Sequence, residues 1–126
     1  MLNGMSDSLT RLYDAVVAAK LADPSDSRTA KLLRAGRAKM GKKLAEEAVE
    51  VLLKAIHGER DAVVQESADL LYNLVVLWVA AGVKPQHVWD EMKYREQLMG
   101  IAEKLPKHAI AARRNVAELI TPRFRA

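Results

Sequence analysis

Apolar residues recur along this chain at helical spacing, and no segment shows sustained alternation with a period of two. Leu9, Leu12, Tyr13, Val16 and Val17 form one stripe, which predicts an amphipathic helix over residues 6–22. The run Ala22-Asp23-Pro24-Ser25-Asp26-Ser27 is loop chemistry, with Asp26 or Ser27 available to cap the next helix. That short helix, over 28–35, ends near Gly36, and a long one over 37–57 ends at Gly58. The next helix, 60–81, is apolar on nearly every face from Leu70 to Trp78, interrupted by Tyr72 and Asn73, and stops at Gly82. Such a helix is expected to be buried between others. Pro85 opens a further helix to about Leu98, and residues 108–119, beyond Pro106, form one more. The fold class is therefore all-α, a helical bundle of four to five main helices.

Composition narrows the class. The chain has 126 residues, half of them hydrophobic, and a net charge of +4. Those values describe a single soluble globular domain with a small core, which oligomerisation would enlarge. Cysteine is absent, which excludes disulfides and thiolate metal sites and is compatible with a cytoplasmic location. Residues 1–7 lack the basic start and apolar run of a signal peptide. The longest apolar stretch, Leu74–Ala81, is too short to span a bilayer, so no membrane partner is expected. Basic residues cluster: Arg28, Lys31, Arg34, Arg37, Lys39, Lys42 and Lys43 occur between Ser27 and Ala45 without an acid. A second basic group lies in the tail, from Lys104 to Arg125, and reads as a solvated face. The first cluster suits a polyanion, either a nucleic acid or a phosphorylated small molecule.

Four carboxylates decide between these ligands. Glu50 and Glu66 each lie eight residues from Gly58, and Glu47 and Asp69 each lie eleven from it. Two antiparallel helices meeting at Gly58 bring the acidic pairs to the same height, and the i, i+3 spacing keeps each pair on one face. Four converging negative charges call for a divalent cation with oxygen ligands, Mg²⁺ or, in its place, Mn²⁺. Lys39, Lys43 and Glu47 are spaced i, i+4, i+8, so metal and lysines together suit a polyphosphate. The competing interpretation is a solvated helix with i, i+4 pairs such as Lys43–Glu47 and Glu50–Lys54. Against it, Glu66, Asp69 and Asn73 form a polar strip on an otherwise apolar helix, where unpaired carboxylates are costly. A purely nucleic-acid-binding helical protein has no need of such acids, so nucleic acid is not the expected partner. The three histidines, His57, His87 and His108, lack ligand spacing and read as surface or capping residues.

The stretch Glu46-Glu47-Ala48-Val49-Glu50, followed after fifteen residues by Glu66-Ser67-Ala68-Asp69, resembles the EExxE…ExxD signature of the MazG-type all-α nucleoside-triphosphate pyrophosphohydrolases. With Thr29-Ala30-Lys31-Leu32-Leu33 and Lys42-Lys43-Leu44-Ala45-Glu46-Glu47, the chain resembles the phosphoribosyl-ATP pyrophosphohydrolase family more narrowly. The likeness covers roughly residues 6–105, leaving 106–126 as a basic C-terminal extension, partly helical.

The resemblance implies a MazG-like bundle completed as a homodimer. It implies Mg²⁺-dependent hydrolysis of the α–β phosphoanhydride of phosphoribosyl-ATP, with a metal-activated water attacking, as the second step of histidine biosynthesis. Carried over by position, Glu47, Glu50, Glu66 and Asp69 are the metal ligands and catalytic acids. Lys42 or Lys43 contacts phosphate, and Thr29, Lys31 and Asn73 lie at the substrate. Arg28, Ala45 and Asn73 stand where the family usually has tyrosine, glycine and histidine. The first and third bear on substrate choice and keep a neighbouring activity in view, MazG-type cleavage of another nucleoside triphosphate.

Overall fold

A computed structural model of the chain describes residues 7–99, and those residues contain five helices. Helix α1 spans Ser8–Ala19 and is capped by Asp7, whose side chain accepts from the Thr10 N–H at 2.7 Å. It stops three residues short of the predicted end. The Asp23 carboxylate accepts from the Ser25 N–H and Oγ at 2.9 and 2.8 Å, and Pro24 disfavours helix at Asp23. Helix α2, Arg28–Ala35, is capped by Ser27 rather than Asp26, through a 3.1 Å bond from the Ala30 N–H to Ser27 Oγ. Gly36 separates it from α3, Arg37–Ile56, and α4 spans Arg60–Ala81. Helix α5, Pro85–Met99, carries its own i, i+4 contacts, Gln86 to Asp90 at 2.7 Å and Arg95 to Glu91 at 3.0 Å. The helix expected over 108–119 and the extension 106–126 lie outside the described residues.

The turn between α3 and α4 depends on Gly58. Its φ of +72° is left-handed, and the Gly58 N–H bonds to Ala55 O at 3.1 Å while the Glu59 N–H reaches Lys54 O at 3.0 Å. This paired closure satisfies carbonyls at the end of α3 and turns the chain back on itself. An added Cβ at Gly58 would meet no atom within 4 Å, so the cost of a side chain is conformational alone. Gly58→Ala is expected to lower stability by about 1 kcal/mol, read as a shift in the urea midpoint, with Gly58→Asn milder. An unchanged midpoint for Gly58→Ala would contradict the left-handed turn.

Helices α1 to α4 form one compact unit, in which α3 packs most extensively against α4, α1 lies on α4, and α2 contacts each of the others. Val16 of α1, Met40 of α3 and Val75, Val76 and Val79 of α4 make the buried centre, with Leu12, Leu33 and Trp78 packed around it. Each such side chain contributes roughly 1.5–3 kcal/mol on leaving water. Helix α4 meets the length and composition needed to cross a bilayer, with a mean hydropathy of 1.3 over its apolar window. In the bundle it serves as the core helix. Its burial is nevertheless one-sided, against the expectation of burial all round. Val64 and Leu71 on α4 are exposed, as are Val49, Leu52 and Ile56 on α3. Within this unit, α1, α2 and α3 leave part of α4 uncovered.

Candidate metal and phosphate site

The helical hairpin brings Glu47, Glu66 and Asp69 together, with a carboxylate oxygen of each within 4.8 Å of the others. Glu47 lies seven residues after the buried Met40, two turns on and about 20° from the same direction, so it faces the hairpin partner. Glu50, ten residues after Met40, points about 80° away from that direction. It stands outside the three-carboxylate group and acts on Glu47 through its charge. Asp69 and Asn73 share a face of α4, and the buried Asn73 donates Nδ2–H to Asp69 O at 2.9 Å.

Glu47 is half-buried, and its carboxyl is held above the ordinary glutamate range. Loss of hydration is the largest cause, followed by a hydrogen bond with the Glu66 carboxyl and the charges of Asp69, Glu66 and Glu50. The folded chain therefore binds this proton more tightly than the unfolded chain does. The resulting stabilisation is present at low pH and is lost as pH rises through the raised value. In chelator at neutral pH, Glu47→Gln should thus melt above the parent, and the gap should narrow on acidification. A gap independent of pH would contradict the crowding of these carboxylates. Three oxygens around one Mg²⁺ at about 2.1 Å stand no more than about 4.2 Å apart. Small side-chain adjustments close the observed spread to that figure, and hard oxygen donors suit Mg²⁺ or Mn²⁺.

A cleft of about 530 Å³ opens beside these acids. Glu47, Asp69, Tyr72 and Asn73 line it together with Lys39 and Lys43 of α3 and Arg28, Lys31, Leu32 and Ala35 of α2. Lys39, Lys43 and Glu47 share the face that their spacing predicts. Among the described residues no ion pair joins Lys43 to Glu47 or Glu50 to Lys54, whereas Arg95 and Glu91 on α5 do form one. The solvated-pair interpretation of these acids is therefore unsupported. Of the residues expected at the substrate, Lys31, Lys43 and Asn73 line the cleft, whereas Lys42 and Thr29 do not. Lys42 is turned about 100° from Lys43 on α3. Thr29 Oγ1 instead shares a 2.7 Å hydrogen bond with the hydroxyl of Tyr72, a lining residue, and so ties α2 to α4. Arg28, which bears on substrate choice as a departure from the family pattern, lines the cleft, and Tyr72 joins the site without having been singled out for it. The signal is present: Arg28, Lys31, Leu32 and Ala35 are spaced i, i+3, i+4, i+7, one helical face, and Tyr72 lies one turn from Asp69. His57 is the exposed C-cap of α3, as its position suggested.

A family model described as phosphoribosyl-ATP pyrophosphohydrolase matches residues 9–96. The chain is 63% identical over 106 residues to phosphoribosyl-ATP pyrophosphatase 2 of Rhodopseudomonas palustris, covering 84% of this chain and 81% of that protein. It is 58% identical over 125 residues to phosphoribosyl-ATP pyrophosphatase 2 of Bradyrhizobium diazoefficiens, covering 91% and 93%. A phosphoribosyl-ATP pyrophosphatase of Gluconobacter oxydans is 52% identical over 96 residues, 76% of this chain and 72% of that one. The matched span takes in the whole α3–α4 hairpin and the cleft beside it, and the chain belongs to the phosphoribosyl-ATP pyrophosphohydrolase family.

Proposed function

We propose that the chain hydrolyses the α–β phosphoanhydride of phosphoribosyl-ATP to phosphoribosyl-AMP and pyrophosphate, the second step of histidine biosynthesis, in the cytoplasm and with Mg²⁺. The observation that carries this reading is the meeting of Glu66 with Glu47 and Asp69, the two acids of a cleft whose remaining charged residues are all cations. Glu47, Glu66 and Asp69 hold the cation, with Glu50 as a fourth carboxylate nearby. A divalent cation bound there supplies positive charge to the phosphate oxygens and polarises the anhydride. Lys43, one turn from Glu47, neutralises the adjoining phosphates. Leu32 and Tyr72 offer apolar and aromatic surface to the nucleoside, and Asn73 anchors the α4 backbone at Asp69.

A homodimer belongs to the same reading. The exposed Val49, Leu52 and Ile56 of α3 and Val64 and Leu71 of α4 form the apolar surface that a second copy would cover. The domain is proposed to span 1–105, with 106–126 as an extension. The acids at the cleft repel a polynucleotide backbone, which speaks for a small nucleotide instead. Pyrophosphate release, assayed with phosphoribosyl-ATP against a panel of nucleoside and deoxynucleoside triphosphates, tests the substrate. Turnover of phosphoribosyl-ATP far above the panel is expected. Faster release from one of the triphosphates would replace the reading with a MazG-type housecleaning activity.

A further inference from the structure

The two lysines that α3 gives the cleft stand at different distances from the acids. Lys43 lies one turn before Glu47 and Lys39 two, so the two ammonium groups are rooted about 6 Å and about 12 Å from Glu47 along the helix axis. A triphosphate held by a cation at Glu47, Glu66 and Asp69 comes within reach of Lys43. Lys39 is rooted a full turn further away, and the other wall of the cleft adds Arg28 and Lys31 from α2. No described carboxylate forms an ion pair with Arg28, Lys31 or Lys39. Three cations of the cleft thus have no carboxylate paired with them among the described residues, and one of them, Lys39, is rooted two turns from Glu47. A guanidinium fork flanked by two ammonium groups suits a terminal phosphate monoester, with its two negative charges and three acceptor oxygens.

We propose that Arg28, Lys31 and Lys39 form a second phosphate subsite, which takes the monoester of the phosphoribosyl group and so selects the substrate over an ordinary nucleoside triphosphate. The proposal rests on phosphoribosyl-ATP being the substrate, a molecule with an anionic group at each end. An ordinary triphosphate has no second anionic group to offer these cations.

Arg28 and Lys39 are exposed, so their substitution leaves the fold intact, checked by circular dichroism. Steady-state kinetics of Arg28→Ala, Lys39→Ala, Lys39→Arg and the double alanine variant, at saturating Mg²⁺, test the subsite. Ribose 5-phosphate and pyrophosphate serve as competing probes for the two ends. Each alanine substitution should raise KM for phosphoribosyl-ATP and Ki for ribose 5-phosphate by about 10- to 100-fold, with pyrophosphate inhibition shifting far less and Lys39→Arg staying near the parent. Unchanged KM values overturn the proposal. So does an equal weakening of ribose 5-phosphate and pyrophosphate, which would assign these cations to the triphosphate. Calorimetric titration of ribose 5-phosphate into the parent and the double variant decides the subsite separately from turnover. Binding by the parent that the double variant loses supports the subsite even if another nucleotide proves to be the substrate; no binding by the parent overturns it.

Discussion

Glu47→Gln should lower pyrophosphate release by about 10³-fold while leaving the helical circular dichroism signal intact, and Asp69→Asn should do the same. Either change removes one of only three carboxylates whose oxygens converge among the described residues, and an amide oxygen is a far weaker ligand for a hard cation. Neither residue belongs to the apolar centre of the bundle, so the loss is one of chemistry and not of folding. Calorimetry with Mn²⁺ should show the affinity falling together with turnover. Glu50→Gln is expected to cost less, because the Glu50 carboxylate acts on Glu47 through charge. Normal turnover by Glu47→Gln and Asp69→Asn would remove the assignment of the cation to these acids.

Met40→Ala should destabilise the chain by about 2–4 kcal/mol and lower its melting temperature by roughly 10–20 °C. Met40 is 2% exposed and is one of the largest fully buried side chains, in contact with residues of the neighbouring helices. Truncation removes its buried atoms and leaves a void that rigid helices fill only in part. Lys39→Ala, one residue away and exposed, is the control and should fall within about 0.5 kcal/mol of the parent. Differential scanning calorimetry on both variants measures the contrast. Equal melting temperatures would mean that α3 does not seal the bundle through Met40.

Much of this arrangement is legible before any coordinate is known. The bounds of α2 to α5 match the pattern to within a residue, because Ser27, Gly36, Gly58, Gly82 and Pro85 punctuate the chain with local chemistry that needs no tertiary partner. The meeting of Glu47 with Asp69 is equally local, since a single turn joins their helices. Three features are less accessible. Spacing of i, i+3 places two residues on one face yet leaves them about 60° apart, and that angle separates Glu50 from the group around Glu47. The role of Arg28 and Tyr72 depends on how α2 lies against α3 and α4, which no stripe on α2 alone specifies. The one-sided burial of α4 depends on how many helices surround it, whereas hydropathy reports only the helix itself.

Each acid of the cluster stands seven residues from a buried neighbour: Glu47 from Met40, Glu66 from Asn73, and Asp69 from Val76. Seven residues are nearly two full turns, so the core and the acids run along common lines on their helices. The bundle interior thus acts as the gearing of the site. A core substitution that rolls α3 or α4 swings the carboxylates through the same angle, far from the altered atom. Cation affinity in core variants then becomes a goniometer for helix rotation, sensitive to movements too small to register in the melting temperature.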